Sequence, residues 1–154
     1  MKSLHVNYFE KKGGAAIAFK RLVEALKENK HDADTLTFEK FIFENLKNKK
    51  IKKFLNLYDH KIKKYLSIKI KKLFRAENIY KDSINYFSSN LYKYIEKSEC
   101  DIINYHWIND EMMSIEEIIK INKPAVWTCV DMWPFIGAEH YTNKYYYKNS
   151  NFEK

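Results

Sequence analysis

Two short apolar runs in the carboxyl-terminal third constrain this chain most. Asp101-Ile102-Ile103-Asn104-Tyr105 stops at His106-Trp107, and Ala125-Val126-Trp127-Thr128-Cys129 stops just before Asp131-Met132-Trp133. Brief apolar runs that end in polar and aromatic residues read as buried strands of a parallel sheet. Between them, Ser114 to Ile121 has a helical pattern, with Ser114 as N-cap and Glu117 completing a capping box. Lys123-Pro124 stops that helix. A strand, a helix and a strand in this order place the two strands parallel. Open α/β sheets bind ligands beyond the carboxyl ends of their strands. His106, Asp131 and Trp133 fall there, and Glu139 and His140 follow in a loop that contains Gly137.

The amino terminus repeats the logic. Leu4 to Phe9 reads as a strand, Glu10 to Gly14 as a loop, Ala15 to Asn29 as an amphipathic helix, and Asp34 to Phe38 as a second strand. Ile17, Leu22, Ala25 and Leu26 mark the expected apolar face of the helix. From Phe41 to Glu96 the apolar residues step by three or four, with lysines between them. Ser83 to Glu96 reads as a helix broken near Ser88-Ser89-Asn90. The expected fold is α/β, a Rossmann-like parallel sheet with flanking helices. Residues 1–154 form a single domain with a basic helical insert at about 41–97.

The charge is concentrated in that insert. Residues 47–75 hold twelve of the 28 Lys/Arg and one acid, Asp59, of the 20 Asp/Glu, a local charge of +11. The remainder, with 16 basic and 19 acidic residues, carries −3 within a total of +8. Three readings stay open for this segment. It lies on anionic lipid, through Lys52, Lys53, Phe54, Lys63, Lys64, Lys71 and Lys72; it is a solvated helix pair; or it binds RNA, against which stand few arginines and no RNA module. No apolar run is long enough to span a bilayer. Cys100 and Cys129 form no spaced framework and are expected to be reduced and buried in a cytoplasmic protein.

The remaining motifs are sparse. Gly13-Gly14 between a strand and a helix suits either close approach of a phosphate to backbone N–H groups or a plain tight turn. It lacks the third glycine of the dinucleotide fingerprint and the Gly-Lys-Ser/Thr of a P-loop. His106 reads as a ligand-contacting group or a hydrogen-bonded structural histidine, and Trp107 and Trp133 as pocket walls or core. Asp131 reads as an acceptor for sugar hydroxyls or as an N-cap. No metal-ligand spacing occurs, and no Gly-x-Ser-x-Gly supports a serine triad.

Taken as an ordered series, these residues resemble a known family. Leu4-His5-Val6-Asn7, Lys12-Gly13-Gly14-Ala15-Ala16 and Arg21-Leu22 are similar to the amino terminus of bacterial family-4 (group 1) glycosyltransferases of lipopolysaccharide, O-antigen or colanic-acid-like polysaccharide synthesis. The stretch from Asp101 to Asn109, then Met113-Ser114-Ile115-Glu116, Lys123 to Thr128, Asp131 to Phe135, Gly137 and His140-Tyr141 carries the stronger match. The lysine-rich middle matches only in being helical and basic.

The resemblance implies the amino-terminal, acceptor-side half of a GT-B fold. It further implies metal-independent, retaining transfer from a nucleotide sugar, a substrate rather than a cofactor, to a lipid-linked or saccharide acceptor. Gly13, Gly14, His106, Asp131, Trp133, Glu139 and His140 would then border the cleft, with no single catalytic residue assigned. The implied location is cytoplasmic, peripheral on the inner face of the membrane, with no nucleic-acid partner. Two departures qualify this. Val130 stands where many members have a histidine, and no donor-binding half follows. The expectation is therefore an incomplete sheet, inactive without a separate donor-domain chain. The alternative is a non-catalytic module that scaffolds another enzyme at the membrane surface.

Overall fold

The computed structural model describes residues 1–44, 50–73, 82–137 and 140–141. The chain runs β1 (Lys2–Asn7), α1 (Gly14–Glu28), β2 (Asp32–Thr37), α2 (Phe38–Glu44), α3 (Lys50–Leu73), α4 (Leu91–Glu96), β3 (Ile102–Tyr105), α5 (Ile115–Ile119), β4 (Ala125–Trp127) and α6 (Trp133–Ile136). The four strands are all parallel, in the order β2-β1-β3-β4. This is an α/β, Rossmann-like sheet with flanking helices. The chain leaves β1 toward β2 on one side and returns to β3 on the other. Right-handed crossovers then put α1 on one face and the later helices on the opposite face.

The two faces differ in chemistry because side chains alternate along each strand. Leu4, Val6, Leu36, Ile103 and Tyr105 point into the main core, with Phe38, Ile42, Leu91, Ile95, Ile108, Met112 and Met113. Fully burying one such side chain contributes about 1.5–3 kcal/mol, so this layer dominates the stability. The opposite face carries Ser3, His5, Asn104 and His106, covered by Phe19, Val23 and Leu26 of α1. Ala16, Phe19 and Val23 are the buried residues of that helix. Ile17, expected on its apolar face, is 51% exposed, and Ala25 is exposed as well. The helix is rotated from the expected stripe so that Phe19 meets the His106 ring edge-on at 5.1 Å.

The segment from Ser83 to Asn90 corrects the helical expectation, since helix forms only from Leu91. Asn85 and Asn90 have positive φ angles of 46° and 64°, which a helix cannot hold. Side-chain bonds compensate the backbone there. The Asn85 amide donates to the Ile108 carbonyl, Glu111 accepts from Phe87 N, and Glu117 accepts from Ser89 N. Ser and Asn compete with helical hydrogen bonding in this way. Around Ser114 the sequence expectation and the fold coincide, for Ser114 and Glu117 form both bonds of the capping box.

Helix α3 is bound to the domain by its polar side chains. His60 Nε2 meets the Tyr8 hydroxyl at 2.9 Å, and Ser67 donates to the buried Glu111 at 2.8 Å. Lys64 pairs with Asp110, Lys71 with Asp82, and Lys63 reaches the Ser88 carbonyl. At the other end of the sheet, edge strand β4 is thinly covered, with Val126 50% exposed. Cys100 is buried as expected, whereas Cys129 is exposed because it lies just past this edge strand. None of the described helices is long and apolar enough to cross a membrane.

Candidate functional site

In the order β2-β1-β3-β4 the direction of winding reverses between β1 and β3, and that is where open parallel sheets form ligand crevices. A cleft of about 420 Å³ lies at this end, lined by Gly14, Ala15, Ala18, Trp107, Asp131 and His140, with Val130 and Tyr141 beside them. The floor comes from the β3 carboxyl end, one wall from the start of α1, and the other wall from the loop after β4.

The α1 wall is an uncapped helix start. Among the described residues no side chain bonds its first-turn N–H groups; no acid lies in the first turn, and Ile17 N closes the first turn on the Gly13 carbonyl. Unpaired N–H groups and the helix dipole favour an anion there. Gly13 has φ 87° and ψ 168°, a conformation open only to glycine at low cost. Gly14 has ordinary helical backbone and open space around its Cα. We expect Gly13→Ala to cost about 1–3 kcal/mol in urea denaturation. Gly14→Ala should leave stability equal or raised by up to about 1 kcal/mol, since alanine is the better helix former. Equal effects from both would overturn this account of the turn.

The floor is aromatic. Trp107 stacks on Phe9 at 5.9 Å and lies 5.7 Å from the His140 ring. Its backbone N–H donates to Asn7 Oδ1, which ties the end of β3 to the end of β1.

The opposite wall is organised by Asp131, whose side chain is 5% exposed. Oδ2 accepts from Trp107 Nε1 at 2.9 Å, from Asn109 Nδ2 at 3.3 Å and from His140 Nδ1 at 2.5 Å. Oδ1 accepts from Trp133 N at 3.1 Å. His140 is equally buried, and its Nε2 lies 2.9 Å from Ser83 Oγ. A carboxylate only accepts, so Nδ1 carries a hydrogen, and in the neutral ring Nε2 accepts from the serine hydroxyl. Asp131 and His140 thus spend their hydrogen-bonding capacity inward, and in this arrangement they shape the cleft rather than reach into it.

The other sequence candidates lie elsewhere. His106 is 2% exposed beneath Phe19 and bonds His5, Nε2 to Nδ1, at 3.2 Å; burial pushes its pKa down to about 4. It belongs to the layer under α1 and does not line the cleft. Trp133 is buried, donates its indole N–H to the Ser83 carbonyl at 2.7 Å, and borders a separate apolar hollow. Glu139 lies outside the described residues, as do the side chains of Lys52, Lys53 and Phe54. Of the remaining lysines assigned to a membrane, Lys63, Lys64 and Lys71 are bonded to the domain, while Lys72 is exposed.

Sequence reading did not place Ser83, Asn109, Ala15 or Ala18 among the residues at the cleft. Ser83 and Asn109 enter through contacts across 57 and 31 residues with His140, which no local pattern signals. Ala15 and Ala18 could have been found as the small residues following the glycine loop on a helix start. Among the described residues no cluster of His, Cys, Asp and Glu could hold a metal ion. No family model, curated protein or solved structure matches this chain.

Proposed function

We propose that this chain is the acceptor-side half of a glycosyltransferase of surface-polysaccharide synthesis, using a nucleotide-sugar donor and a lipid-linked or saccharide acceptor. One observation carries the reading: an uncapped, glycine-started helix faces an Asp131–His140 wall across a cleft floored by Trp107. An uncapped helix start suits a diphosphate, and an indole face suits the apolar side of a sugar ring. The ordered series of residues that resembles family-4 glycosyltransferases points the same way. Catalysis would need a second wall to hold the donor, the part played by a donor-binding domain.

The test is titration of the chain with nucleotide diphosphates, nucleotide sugars and detergent-solubilised lipid-linked saccharides, read by tryptophan fluorescence. Quenching by a ligand of these classes, lost in Trp107→Phe and in Gly14→Val, is the expected result. A flat titration with every one of them, by a chain shown to be folded, would sink the reading.

Membrane contact would run through α3, over a set of residues that shares Lys72 with the expected one. Tyr58, Ile62, Tyr65, Leu66 and Leu73 are exposed at 60%, 46%, 57%, 42% and 78%, and Lys61, Lys69 and Lys72 are exposed near them. An apolar stripe edged by lysines fits an anionic bilayer surface, where each lysine contributes about 1 kcal/mol. The chain is expected to sediment with anionic vesicles and not with neutral ones. Lys69→Glu and Lys72→Glu should each weaken that binding by about fivefold or more, while Lys64→Gln should leave it unchanged. This surface also serves the second reading, a non-catalytic scaffold. Vesicle binding with no response to any nucleotide sugar or saccharide, even with a donor domain supplied, would favour that reading.

A further inference from the structure

Ser83, His140 and Asp131 come from three separate parts of the chain and meet in one hydrogen-bonded line. Ser83 Oγ lies 2.9 Å from His140 Nε2, and His140 Nδ1 lies 2.5 Å from Asp131 Oδ2. An aspartate orients a histidine to take a proton from a serine through this same connectivity. The tautomer is fixed by the carboxylate, and the carboxylate is fixed by Trp107, Asn109 and Trp133 N. Asp110 N also donates to Ser83 Oγ at 3.3 Å, and the hydroxyl hydrogen has two acceptors in reach, His140 Nε2 at 2.9 Å and Asp110 Oδ1 at 3.4 Å, of which the imidazole is the nearer.

A structural lock could be built from the same bonds. What separates this array from a lock is the space beside the serine. Ser83 borders a hollow of about 480 Å³ whose other walls include Ile84, Ile115, Ile118, Trp127 and Trp133. This hollow adjoins Ser83, whereas the cleft adjoins His140 and Asp131. Its rim opens to solvent, since Ile115 and Ile119 are 54% and 75% exposed. Such walls accept a hydrocarbon chain, and Ser83, itself only 3% exposed, is the lining residue that carries a nucleophilic side chain.

We propose that Ser83 is an activated nucleophile that takes an acyl group from an ester whose aliphatic chain occupies this hollow. Ser83 Oγ bonds to the ester carbonyl carbon while the bond from that carbon to the alkoxy oxygen breaks. His140 Nε2 receives the serine proton and passes it to the departing alcohol. Water then attacks the acyl-serine, with His140 again taking the proton and returning it to Ser83. The products are a carboxylic acid and an alcohol. This activity needs no nucleotide sugar, so it stands or falls independently of glycosyl transfer.

The test is covalent labelling of the full chain with a decyl fluorophosphonate, with the adduct located by peptide mass spectrometry. The expected result is loss of fluoride and an adduct on Ser83, forming at least about tenfold faster than on Ser88 or Ser89. It should be absent in Ser83→Ala and slowed by about 100-fold or more in His140→Gln. A methyl fluorophosphonate should label at least about tenfold more slowly than the decyl reagent, because it leaves the hollow empty. That comparison uses the unaltered chain and does not depend on any variant folding. No Ser83 adduct in the folded chain would overturn the proposal. So would equal rates for the two reagents, or an unchanged rate in a folded His140→Gln protein.

Discussion

Asp131→Ala is expected to lower the stability of this protein by about 3–5 kcal/mol, the largest effect of any single substitution considered. The carboxylate accepts from two side-chain donors, Trp107 and Asn109, from the His140 ring and from Trp133 N, all in a nearly dry setting. Alanine removes every acceptor at once and leaves the donors facing a void. Each buried donor left without a partner costs about 1–3 kcal/mol, and partial relaxation recovers some of that. Asp131→Asn should lie in between, because one of its two terminal atoms must donate where the site supplies only donors. Urea denaturation of the three proteins checks the order. A loss below about 1 kcal/mol for Asp131→Ala would show that the loop after β4 is not held by this residue. A double-mutant cycle with His140→Ala should give strong coupling, since the two side chains share a bond.

Acid should destabilise the protein well before its carboxylates titrate. Burial pushes His60 and His106 down to about 4, and it lowers His5 as well. These groups are neutral in the folded state and gain protons more readily once unfolded. Between about pH 6.5 and 4 the unfolded chain therefore binds more protons, and stability falls as pH falls. Their contribution is complete above the unfolded histidine value and is lost progressively down to the folded one. For His60 and His106 the expected loss is about 2–3 kcal/mol each by pH 4. Urea midpoints measured from pH 7.5 to 4.5 check this, over a window above most carboxylate titration. His106→Asn should flatten part of the slope, and a wild-type midpoint that does not move in that window would refute the assignment.

The two histidines act in different layers. His60 sits between α3 and the Tyr8–Phe38 pair, so its protonation loosens the basic helix from the sheet. His106 sits with His5 under Phe19, so its protonation puts charge beneath α1. Amide exchange at low pH should therefore rise in both α1 and α3 before it rises in β1 and β3, which form the centre of the sheet.

Much of the frame was legible residue by residue. The four strands, the order of strand and helix, and the Ser114–Glu117 capping box are written in short-range patterns: apolar runs, stops and caps a few residues apart. The Ser83–Asn90 strap was misread because its spacing of apolar residues is helical. Its actual conformation is paid for by bonds to Ile108, Glu111 and Glu117, which lie 23 to 28 residues away. The apolar stripe of α1 was misplaced for a related reason. Which side of a helix is buried depends on the surface it meets, and that surface carries His5 and His106 rather than an apolar layer.

The candidate site divides along the same line. Gly13 and Gly14 at a strand-to-helix turn, and Asp131 and His140 after a strand, were visible as residues at the correct ends of elements. That Gly14, Asp131 and His140 border one cleft while His106 turns under α1 depends on the alternation of side chains and on the docking of α1. Ser83 had no signal at all in its own neighbourhood.

Sequence alone determined the class of this protein and its polarity: an α/β sheet of parallel strands whose chemistry gathers at one end. Local stereochemistry suffices for that, because strand period, helix period and capping each act within a few residues. Tertiary structure alone decided which polar groups face the cleft, which lysines of α3 are spent on the domain, and that a serine meets the histidine–aspartate pair. Those outcomes require segments distant along the chain to be brought within 3 Å, and the sheet register and the packing of its two dissimilar faces do that.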